Sequence, residues 1–276
     1  MSEIRFIALD LDGTLLDSQK RLSHRNETVL KECIRRGITV VPCTGRIWFG
    51  VPEVIRSFPG IRYAITTNGA VIEDVAEGRV LDERKMSQEL ALEILELGKQ
   101  FNTMYDAYAG GRAFGEARFI DHMEDYGISP ELSKMVRSTR EIVPDVAEAV
   151  RALGATVEKI NYFFGDMEER RRAKEALLAR GDVLVSASFP TNLEINALGA
   201  SKGEAILRLA EHLGLRPDQT MGFGDGENDI SMMRLAGIGV AMGNAMETVK
   251  AEADVITGTN DADGVADAIE RLVLRD

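Results

Sequence analysis

Short apolar runs alternate with amphipathic stretches in the first part of the chain. Residues 4–9 are branched and aromatic, as in a buried strand, and they lead directly into an acidic loop. Ser23 has the position of a helix N-cap, and the pattern predicts a helix from there to Arg36, after which a glycine ends it. Apolar runs at 38–41 and 63–66 predict two further strands. Strands that alternate with helices in this way predict a parallel sheet with helices on both faces.

The pattern then changes and predicts a second, different kind of domain. A hairpin is predicted over 70–81 and an amphipathic helix over 87–101, and the alternating residues of 103–118 favour antiparallel strands. Helices and strands follow one another until strand–helix alternation resumes after about Asn192. Helices packed on an antiparallel sheet indicate an α+β domain inserted into the first domain. The predicted fold class is therefore α/β, with a Rossmann-like three-layer core on a parallel sheet and an inserted α+β domain.

Length, composition and charge limit the classes of function. With 276 residues, of which 45% are hydrophobic, the chain can form one large or two modest domains with a real core. The net charge of -12 argues against binding to nucleic acid or to an anionic membrane, because both attract basic surfaces. A small phosphorylated ligand is compatible with this charge, since a metal ion and a few cations can reverse the local field. The sequence predicts no oligomeric state.

Three further features favour a cytoplasmic protein. No stretch approaches the roughly 20 apolar residues that a membrane helix needs. The first residues enter a strand-like run at once, so we expect no signal peptide. Cys33 and Cys43 are the only cysteines, which offers no disulfide framework and favours a reducing compartment.

Five short segments are expected to meet at one edge of the parallel sheet. Ligands of open α/β sheets bind beyond the carboxyl ends of the strands. The segments that take this position, or that start a helix beside it, are 10–14, 44–46, 68–69, 201–203 and 224–229. Their shared placement carries more weight than any one motif.

Carboxylates dominate two of these segments. Asp10 and Asp12 follow the first strand, and Asp225 and Asp229 follow the apolar run 220–223. Carboxylates a few ångströms apart resist ionisation unless a cation accompanies them. Oxygen ligands of this kind suit Mg²⁺, so Asp225 is expected to complete a metal site and Asp229 to bind the metal or orient its waters.

Asp10 and Asp12 have the chemistry that phosphoryl transfer needs. A carboxylate can attack phosphorus to form an aspartyl phosphate, and Asp12 is placed to pass a proton to the leaving oxygen. Taken alone, the motif is also compatible with a surface turn or with part of a calcium loop. A calcium loop needs a preceding helix, however, whereas a strand precedes this motif.

Four further residues have donors or charge suited to a phosphoryl group. Thr44 offers a hydroxyl, Gly45 an unobstructed N–H, and Asn228 an amide. Lys202 brings a positive charge to a helix N-terminus, which itself favours anions. In isolation Thr44 is more typical of a helix cap, and Lys202 is more typical of a solvated helix face. The acidic segments favour the phosphate interpretation.

Other familiar sites are not predicted. His24, His122 and His212 are widely separated, and nothing indicates a metal cluster or a catalytic dyad among them. The chain contains neither the phosphate-binding loop of nucleoside triphosphatases nor the glycine fingerprint of dinucleotide-binding folds. The acidic stretch 260–264 resembles a calcium loop only superficially, and we interpret it as a turn with an N-cap.

The motifs, in their order along the chain, resemble those of the haloacid dehalogenase superfamily of phosphatases, in particular its Cof-type branch with a type IIB cap. They are Asp10-Leu11-Asp12-Gly13-Thr14, Thr44-Gly45-Arg46, Ala200-Ser201-Lys202-Gly203, Gly224-Asp225-Gly226-Glu227-Asn228-Asp229 and the accessory stretch Met242-Gly243-Asn244-Ala245. The resemblance covers essentially the whole chain. It implies a catalytic core formed by 1–83 and 189–276 and a type IIB cap domain formed by 84–188.

The resemblance also implies a role for each site residue of a Mg²⁺-dependent phosphomonoesterase. Asp10 would be the nucleophile and a metal ligand. Asp12 would be general acid and then base, with its backbone carbonyl on the metal. Asp225 would be the third protein ligand, and Asp229 would support the metal. The groups that would hold the phosphoryl group are the Leu11 backbone, Thr44, Gly45, Lys202 and Asn228, and those that would reach toward substrate or cap are Arg46 and Asn68.

These features together predict hydrolysis of a small phosphorylated metabolite through an aspartyl-phosphate intermediate, with sugar phosphates as the favoured class. Two alternatives stay open. A phosphomutase of the same fold would share the nucleophile and the cap type. The other is a noncatalytic protein that binds phosphorylated metabolites, and the complete set of acids argues against it.

Overall fold

The computed structural model describes residues 3–275, which fold as two compact units. The first unit combines the chain up to Glu83 with the chain from Ser201 onward, and the second is Arg84–Ala200. Each unit has its own cluster of buried apolar side chains. Among the described residues, no helix is both long enough and apolar enough to cross a membrane.

Strands and helices are numbered in chain order through both units. The strands of the first unit are β1 (Phe6–Leu9), β2 (Thr39–Pro42), β3 (Tyr63–Thr66), β4 (Val71–Asp74), β5 (Arg79–Glu83), β12 (Thr220–Gly224), β13 (Ile238–Ala241) and β14 (Val255–Ile256). Its helices are α1 (His24–Arg35), α2 (Glu53–Arg56), α8 (Lys202–His212), α9 (Ile230–Leu235), α10 (Glu247–Lys250) and α11 (Gly264–Leu272).

A five-stranded parallel sheet in the order β14-β13-β12-β1-β2 forms the centre of the first unit. Every residue of β1 and β12 is buried. Continuous apolar strands of this kind are typical of a parallel sheet covered on both faces. The register pairs Leu9 with Phe223, so the segments that follow β1 and β12 leave the same edge of the sheet side by side.

Strand β3 forms where the sequence predicts it, but its ladder is antiparallel. It pairs with β4, which pairs with β5 in the predicted hairpin, so that these strands form a separate three-stranded sheet. An isolated parallel bridge between Cys43 and Ile65 links this sheet to the end of β2. The chain therefore turns back on itself after β3, because the next apolar run follows too closely for a helical crossover, which needs a dozen residues or more.

Helix starts in the first unit follow their predicted caps. The Ser23 hydroxyl accepts a hydrogen bond from the Asn26 N–H at 3.1 Å, which begins α1. At α8, the Ser201 hydroxyl accepts from the Glu204 N–H at 3.2 Å while the Glu204 carboxylate accepts from Ser201, which completes a capping box. The box provides hydrogen-bond partners for the first turn of α8, where Lys202 lies.

The second unit is an α+β arrangement, as predicted. Its strands are β6 (Met104–Ala109), β7 (Arg112–Glu116), β8 (Glu141–Val143), β9 (Val157–Phe163), β10 (Val183–Ser186) and β11 (Asn192–Ala197). Its helices are α3 (Gln88–Gly98), α4 (Ala117–Ile120), α5 (Pro130–Thr139), α6 (Val146–Leu153) and α7 (Met167–Arg180). The strands form one six-stranded sheet in the order β10-β11-β9-β6-β7-β8, antiparallel except for the β7–β8 pair.

Strand β11 lies in the second unit, where it pairs with both β9 and β10. The strand–helix alternation of the first unit therefore resumes at Ser201 rather than at about Asn192. The compact unit accordingly ends at Ala200, whereas the sequence analysis placed the boundary at 188. The sequence of β11, NLEINA, alternates polar and apolar residues, which is typical of an antiparallel strand and differs from the continuous apolar runs of the parallel sheet.

Candidate active site

Two acidic loops lie side by side at the carboxyl edge of the parallel sheet. Asp10 directly follows β1, and its N–H donates to the carbonyl of Phe223 in β12 at 3.0 Å. Asp225 directly follows β12. The pairing of these two central strands is what brings residues more than two hundred positions apart into one site.

Lys202 joins the two loops through a buried ion pair. Its side chain is fully buried, and its Nζ donates to Asp10 Oδ1 at 2.7 Å and to Asp229 Oδ1 at 2.5 Å. Burial opposes the charge on Lys202, but Asp10 and Asp229 outweigh it and raise the pKa of Lys202 well above its ordinary value. Lys202 is therefore a permanent positive charge beside Asp10.

Asp229 supports the second acidic loop from within. Its Oδ2 accepts from the backbone N–H groups of Asp225 at 2.9 Å and Gly226 at 3.0 Å. A side chain at Gly224 would place its Cβ 2.3 Å from the Asp229 Cβ, so the strand must end in glycine for the carboxylate to fold back. Asp229 thereby fixes both Lys202 and the backbone that presents Asp225.

Asp225 packs against the turn that follows Asp10. Thr14 Oγ1 donates to Asp225 Oδ1 at 2.9 Å. Gly13 has φ +88°, and a Cβ at that position would lie 2.5 Å from Asp225 Oδ2. These contacts explain the glycine and threonine of the first motif. Glycine permits the close approach of the Asp225 carboxylate, and threonine donates a hydrogen bond to it.

The acids at this edge carry more negative charge than Lys202 balances. Burial raises the pKa of Asp10 well above its ordinary value despite the nearby Lys202, and Asp229 and Asp225 add to the rise. Burial, together with Asp229, also raises the pKa of Asp225 to about 6. Both shifts have the same physical cause, which is that ionised carboxylates are desolvated here without enough positive charge nearby.

This donor set fits Mg²⁺. Asp10, Asp225 and Asp229 can each direct one carboxylate oxygen so that the three oxygens lie within 4.8 Å of one another. Three carboxylates and one ammonium leave two negative charges, which a divalent cation would offset. Carboxylate oxygens are also the ligands that Mg²⁺ prefers. Both oxygens of Asp229 accept hydrogen bonds, from Lys202 and from two backbone N–H groups.

The Asp12 carboxylate lies outside this cluster and is held by two cations. Arg46 donates from Nε to Oδ2 at 2.7 Å and from Nη2 to Oδ1 at 2.9 Å, and Lys20 Nζ lies 2.8 Å from Oδ1. Burial alone would raise the pKa of Asp12, but Arg46 and Lys20 outweigh it and lower the pKa to about 2. The structure thus places Arg46, which the sequence analysis directed toward substrate or cap, on the Asp12 carboxylate.

The remaining predicted residues form a third group beside the first two. Thr44 Oγ1 accepts from the Arg46 N–H at 3.2 Å, and the Asn68 N–H donates to the Thr44 carbonyl at 3.0 Å. Asn228 Nδ2 donates to Asn68 Oδ1 at 3.2 Å. Asn68 has φ +61°, a left-handed conformation that is uncommon for a residue other than glycine and that concentrates at functional sites. Gly45 lies between Thr44 and Arg46 in the same loop.

Two residues of the site were not predicted. Lys20 was missed because it belongs to a polar stretch without periodicity. In the structure it has a left-handed φ of +62°, and its ammonium lies 2.8 Å from Asp12 Oδ1. Asn244 was noted only as part of an accessory stretch. Its side chain reaches the Gly13 carbonyl, 231 positions away, at 2.8 Å. No local signal could identify either contact, because each depends on how distant loops meet.

Comparison with known proteins agrees with this geometry. The family model described as haloacid dehalogenase-like hydrolase matches residues 7–269. The chain is 32% identical to 5-amino-6-(5-phospho-D-ribitylamino)uracil phosphatase YcsE of Bacillus subtilis (strain 168), over 99% of this chain and 97% of that protein.

Solved structures extend the likeness to the three-dimensional fold. A haloacid dehalogenase-like hydrolase from B. subtilis superposes with a TM-score of 0.86 at 32% identity, over 98% of this chain and 100% of the other. The subclass IIB sugar phosphatase BT4131 superposes with a TM-score of 0.81 at 25% identity, over 97% and 98% of the two chains. The predicted fold class and enzyme class are confirmed. This chain belongs to the haloacid dehalogenase-like hydrolase family and is a phosphatase of that superfamily.

Proposed function

We propose that this phosphatase hydrolyses a phosphorylated sugar or a related polyol in a Mg²⁺-dependent reaction, with Asp10 as the nucleophile. The observation that carries the proposal is the buried contact of Lys202 with Asp10 and Asp229, next to Asp225, at the carboxyl edge of the sheet. The substrate class is supported by similarity to one phosphatase named for a phosphoribityl compound and to another described as a sugar phosphatase.

The metal would be held by the Asp10 and Asp225 carboxylates and by the backbone carbonyl of Asp12. Asp229 would support it by fixing Lys202 and the loop of Asp225. When bound, Mg²⁺ supplies positive charge that offsets the carboxylates and the phosphoryl oxygens. The pKa values of Asp10 and Asp225 are raised because both carboxylates are desolvated close to other acids. A divalent cation bound between them would supply the positive charge that this arrangement lacks.

In the first step, an Asp10 carboxylate oxygen attacks phosphorus and the bond from phosphorus to the ester oxygen breaks. The departing oxygen keeps the bonding electrons and takes a proton from Asp12, so this step requires Asp12 to be protonated in the substrate complex, although Arg46 and Lys20 favour its ionised form in the structure. In the second step, Asp12 accepts a proton from water as the water oxygen attacks phosphorus, which releases inorganic phosphate and restores Asp10. Dividing the reaction in this way replaces one difficult displacement by two easier ones. Arg46 and Lys20 orient Asp12 for both transfers.

We propose that the phosphoryl group is bound by side-chain and backbone donors of the predicted site. Lys202 contributes a buried charge, Thr44 and Asn228 contribute side-chain donors, and Gly45 and Leu11 contribute backbone N–H groups. Donors held in place before the substrate arrives need no reorganisation during the reaction, which is why such groups stabilise the transition state effectively.

We further propose that the second unit is the type IIB cap domain that the sequence analysis predicted over 84–188. Its helices on an antiparallel sheet support this assignment. We also propose that the protein acts in the cytoplasm. The free, buried Cys33 and Cys43 are compatible with a reducing compartment.

A panel of phosphorylated metabolites tests the proposed function. We expect release of inorganic phosphate with Mg²⁺, its loss with a chelator, and its loss in Asp10→Asn. Isomerised sugar phosphate without free phosphate would instead establish a phosphomutase. Tight binding of a metabolite without any turnover would establish a noncatalytic binding protein.

A further inference from the structure

One short turn contacts both acidic loops of the site. The side chain of Asn244 donates from Nδ2 to the Gly13 carbonyl at 2.8 Å, and the Met246 N–H donates to the Asp225 carbonyl at 3.1 Å. Gly13 belongs to the turn after Asp10. Residues 244–246 therefore connect the loop of Asp10 to the loop of Asp225 from outside the carboxylate cluster.

The other end of the Asn244 amide is anchored as well. Its Oδ1 accepts from the Asn260 N–H at 3.0 Å, and Asn260 Nδ2 donates to the Leu16 carbonyl at 3.0 Å. One residue further, Asp261 Oδ1 accepts from the Ser18 N–H at 2.8 Å. The loop after Asp10 is thus held at Gly13, Leu16 and Ser18 by three consecutive contacts from the C-terminal part of the chain. We call Asn244, Asn260 and Asp261 the bracket.

The bracket also opposes electrostatic repulsion between the two acidic loops. Asp10 and Asp225 each offer a carboxylate oxygen, and these oxygens lie within 4.8 Å of each other, so the ionised carboxylates repel and push the two loops apart. A neutral amide can oppose that separation without adding charge to the site. The contact that it preserves is a close one, because Gly13 packs directly against the Asp225 carboxylate.

We propose that Asn244 is a positioning residue, which sets the separation of the Asp10 and Asp225 carboxylates for a divalent cation. Asn244 touches neither of these carboxylates and acts through the Gly13 carbonyl and the turn that contains Met246. The inference rests on the proposed function, since it requires Asp10 and Asp225 to share Mg²⁺. It predicts that the geometry of the site, rather than its chemistry, changes when the amide is removed.

The test is calorimetric titration of Mg²⁺ alone into the full-length chain and its Asn244→Ala variant. Outer groups that orient metal ligands contribute about 10–100-fold to metal affinity, so we expect the dissociation constant for Mg²⁺ to rise at least about tenfold. Hydrolysis of p-nitrophenyl phosphate should fall by a similar factor at limiting Mg²⁺ and should recover at saturating Mg²⁺. Asn102→Ala is the matched control, because Asn102 is an exposed asparagine of the second unit.

Thermal unfolding in EDTA separates positioning from loop stability. Asn244 is exposed, so its truncation leaves no cavity, and Asn244→Ser provides a second variant that is too short to bridge the two loops. A lower unfolding temperature with unchanged Mg²⁺ affinity would overturn the inference and leave Asn244 a structural residue. If the unmodified chain itself binds no Mg²⁺, the proposed function fails and the inference falls with it. If the unmodified chain binds Mg²⁺ and both variants bind it equally well, only the inference fails.

Discussion

Replacement of Lys202 by Met should destabilise the first unit far more than the loss of an ordinary lysine. Lys202 is fully buried between Asp10 and Asp229, and methionine preserves much of its volume while removing the charge. Removing one partner of a buried ion pair typically costs about 3–5 kcal/mol, because the other charge is left without compensation. We expect a loss in that range at neutral pH in EDTA.

The loss should depend on pH in a defined direction. The folded pKa of Lys202 lies above its unfolded value, so its stabilising contribution is present at neutral pH and is lost only as the pH rises through that raised pKa. The folded pKa of Asp10 is also raised, so folding favours its protonated form. Without Lys202 that preference grows, and acidification should reduce the difference between variant and parent as Asp10 takes up a proton.

Urea unfolding followed by tryptophan fluorescence measures this effect in the correct unit. Trp48 is the only tryptophan, and it packs partly buried against the core of the first unit. Lys31→Met is the matched control, because Lys31 forms an exposed pair with Glu27 on α1, and it should leave the unfolding curve unchanged. A loss for Lys202→Met no larger than that of the control, or a loss that grows as the pH falls, would refute the reasoning.

Three further substitutions test other parts of the structure. Arg46→Lys cannot reproduce the bidentate contact with Asp12, so kcat for p-nitrophenyl phosphate should fall by about tenfold or more. Unchanged steady-state kinetics would show that Arg46 does not orient Asp12. Gly13→Ala introduces a Cβ at φ +88° and 2.5 Å from Asp225 Oδ2, so the free energy of unfolding in urea should fall by about 1–3 kcal/mol and calorimetry should show weaker Mg²⁺ binding. Parental values in both measurements would contradict the close contact. Arg140→Met removes the ion-pair partner of Asp106 in the second unit, where Arg140 and Asp106 are 4% and 0% exposed, so scanning calorimetry should show a loss of about 3–5 kcal/mol. Arg151→Met, at an exposed position, is the control, and an equal effect of the two substitutions would contradict the burial argument.

Much of the site could be predicted because its chemistry follows strand ends. Asp10 and Asp225 each directly follow a short, fully buried strand, and the carboxyl ends of parallel neighbours necessarily lie together. The helix start at Lys202 is marked just as locally by Ser201 and Glu204. At these positions the local sequence pattern alone marks where the strand ends or the helix begins, and the tertiary structure agrees with it.

Prediction failed where a decision depends on the partner of a segment rather than on its own pattern. The sequence of β11 alternates as an antiparallel strand does, but the alternation does not name the neighbouring strand, and the pairing with β9 is what assigns β11 to the second unit. The contacts of Asp12 with Arg46 and Lys20, and of Asn244 with Gly13, join loops that have no regular period. Such contacts follow from the assembled fold, since a loop side chain can reach whichever group the neighbouring loops present.

The central claim is that Asp10 carries the phosphoryl group during turnover, and chemical trapping tests it most directly. Borohydride added during hydrolysis of p-nitrophenyl phosphate with Mg²⁺ reduces an acyl phosphate to an alcohol, which converts the aspartate that bears it into homoserine. Peptide mass spectrometry should find homoserine at position 10 in the unmodified chain only when substrate and Mg²⁺ are both present. Steady release of phosphate with position 10 unchanged, or with the modification on another carboxylate, would contradict the account.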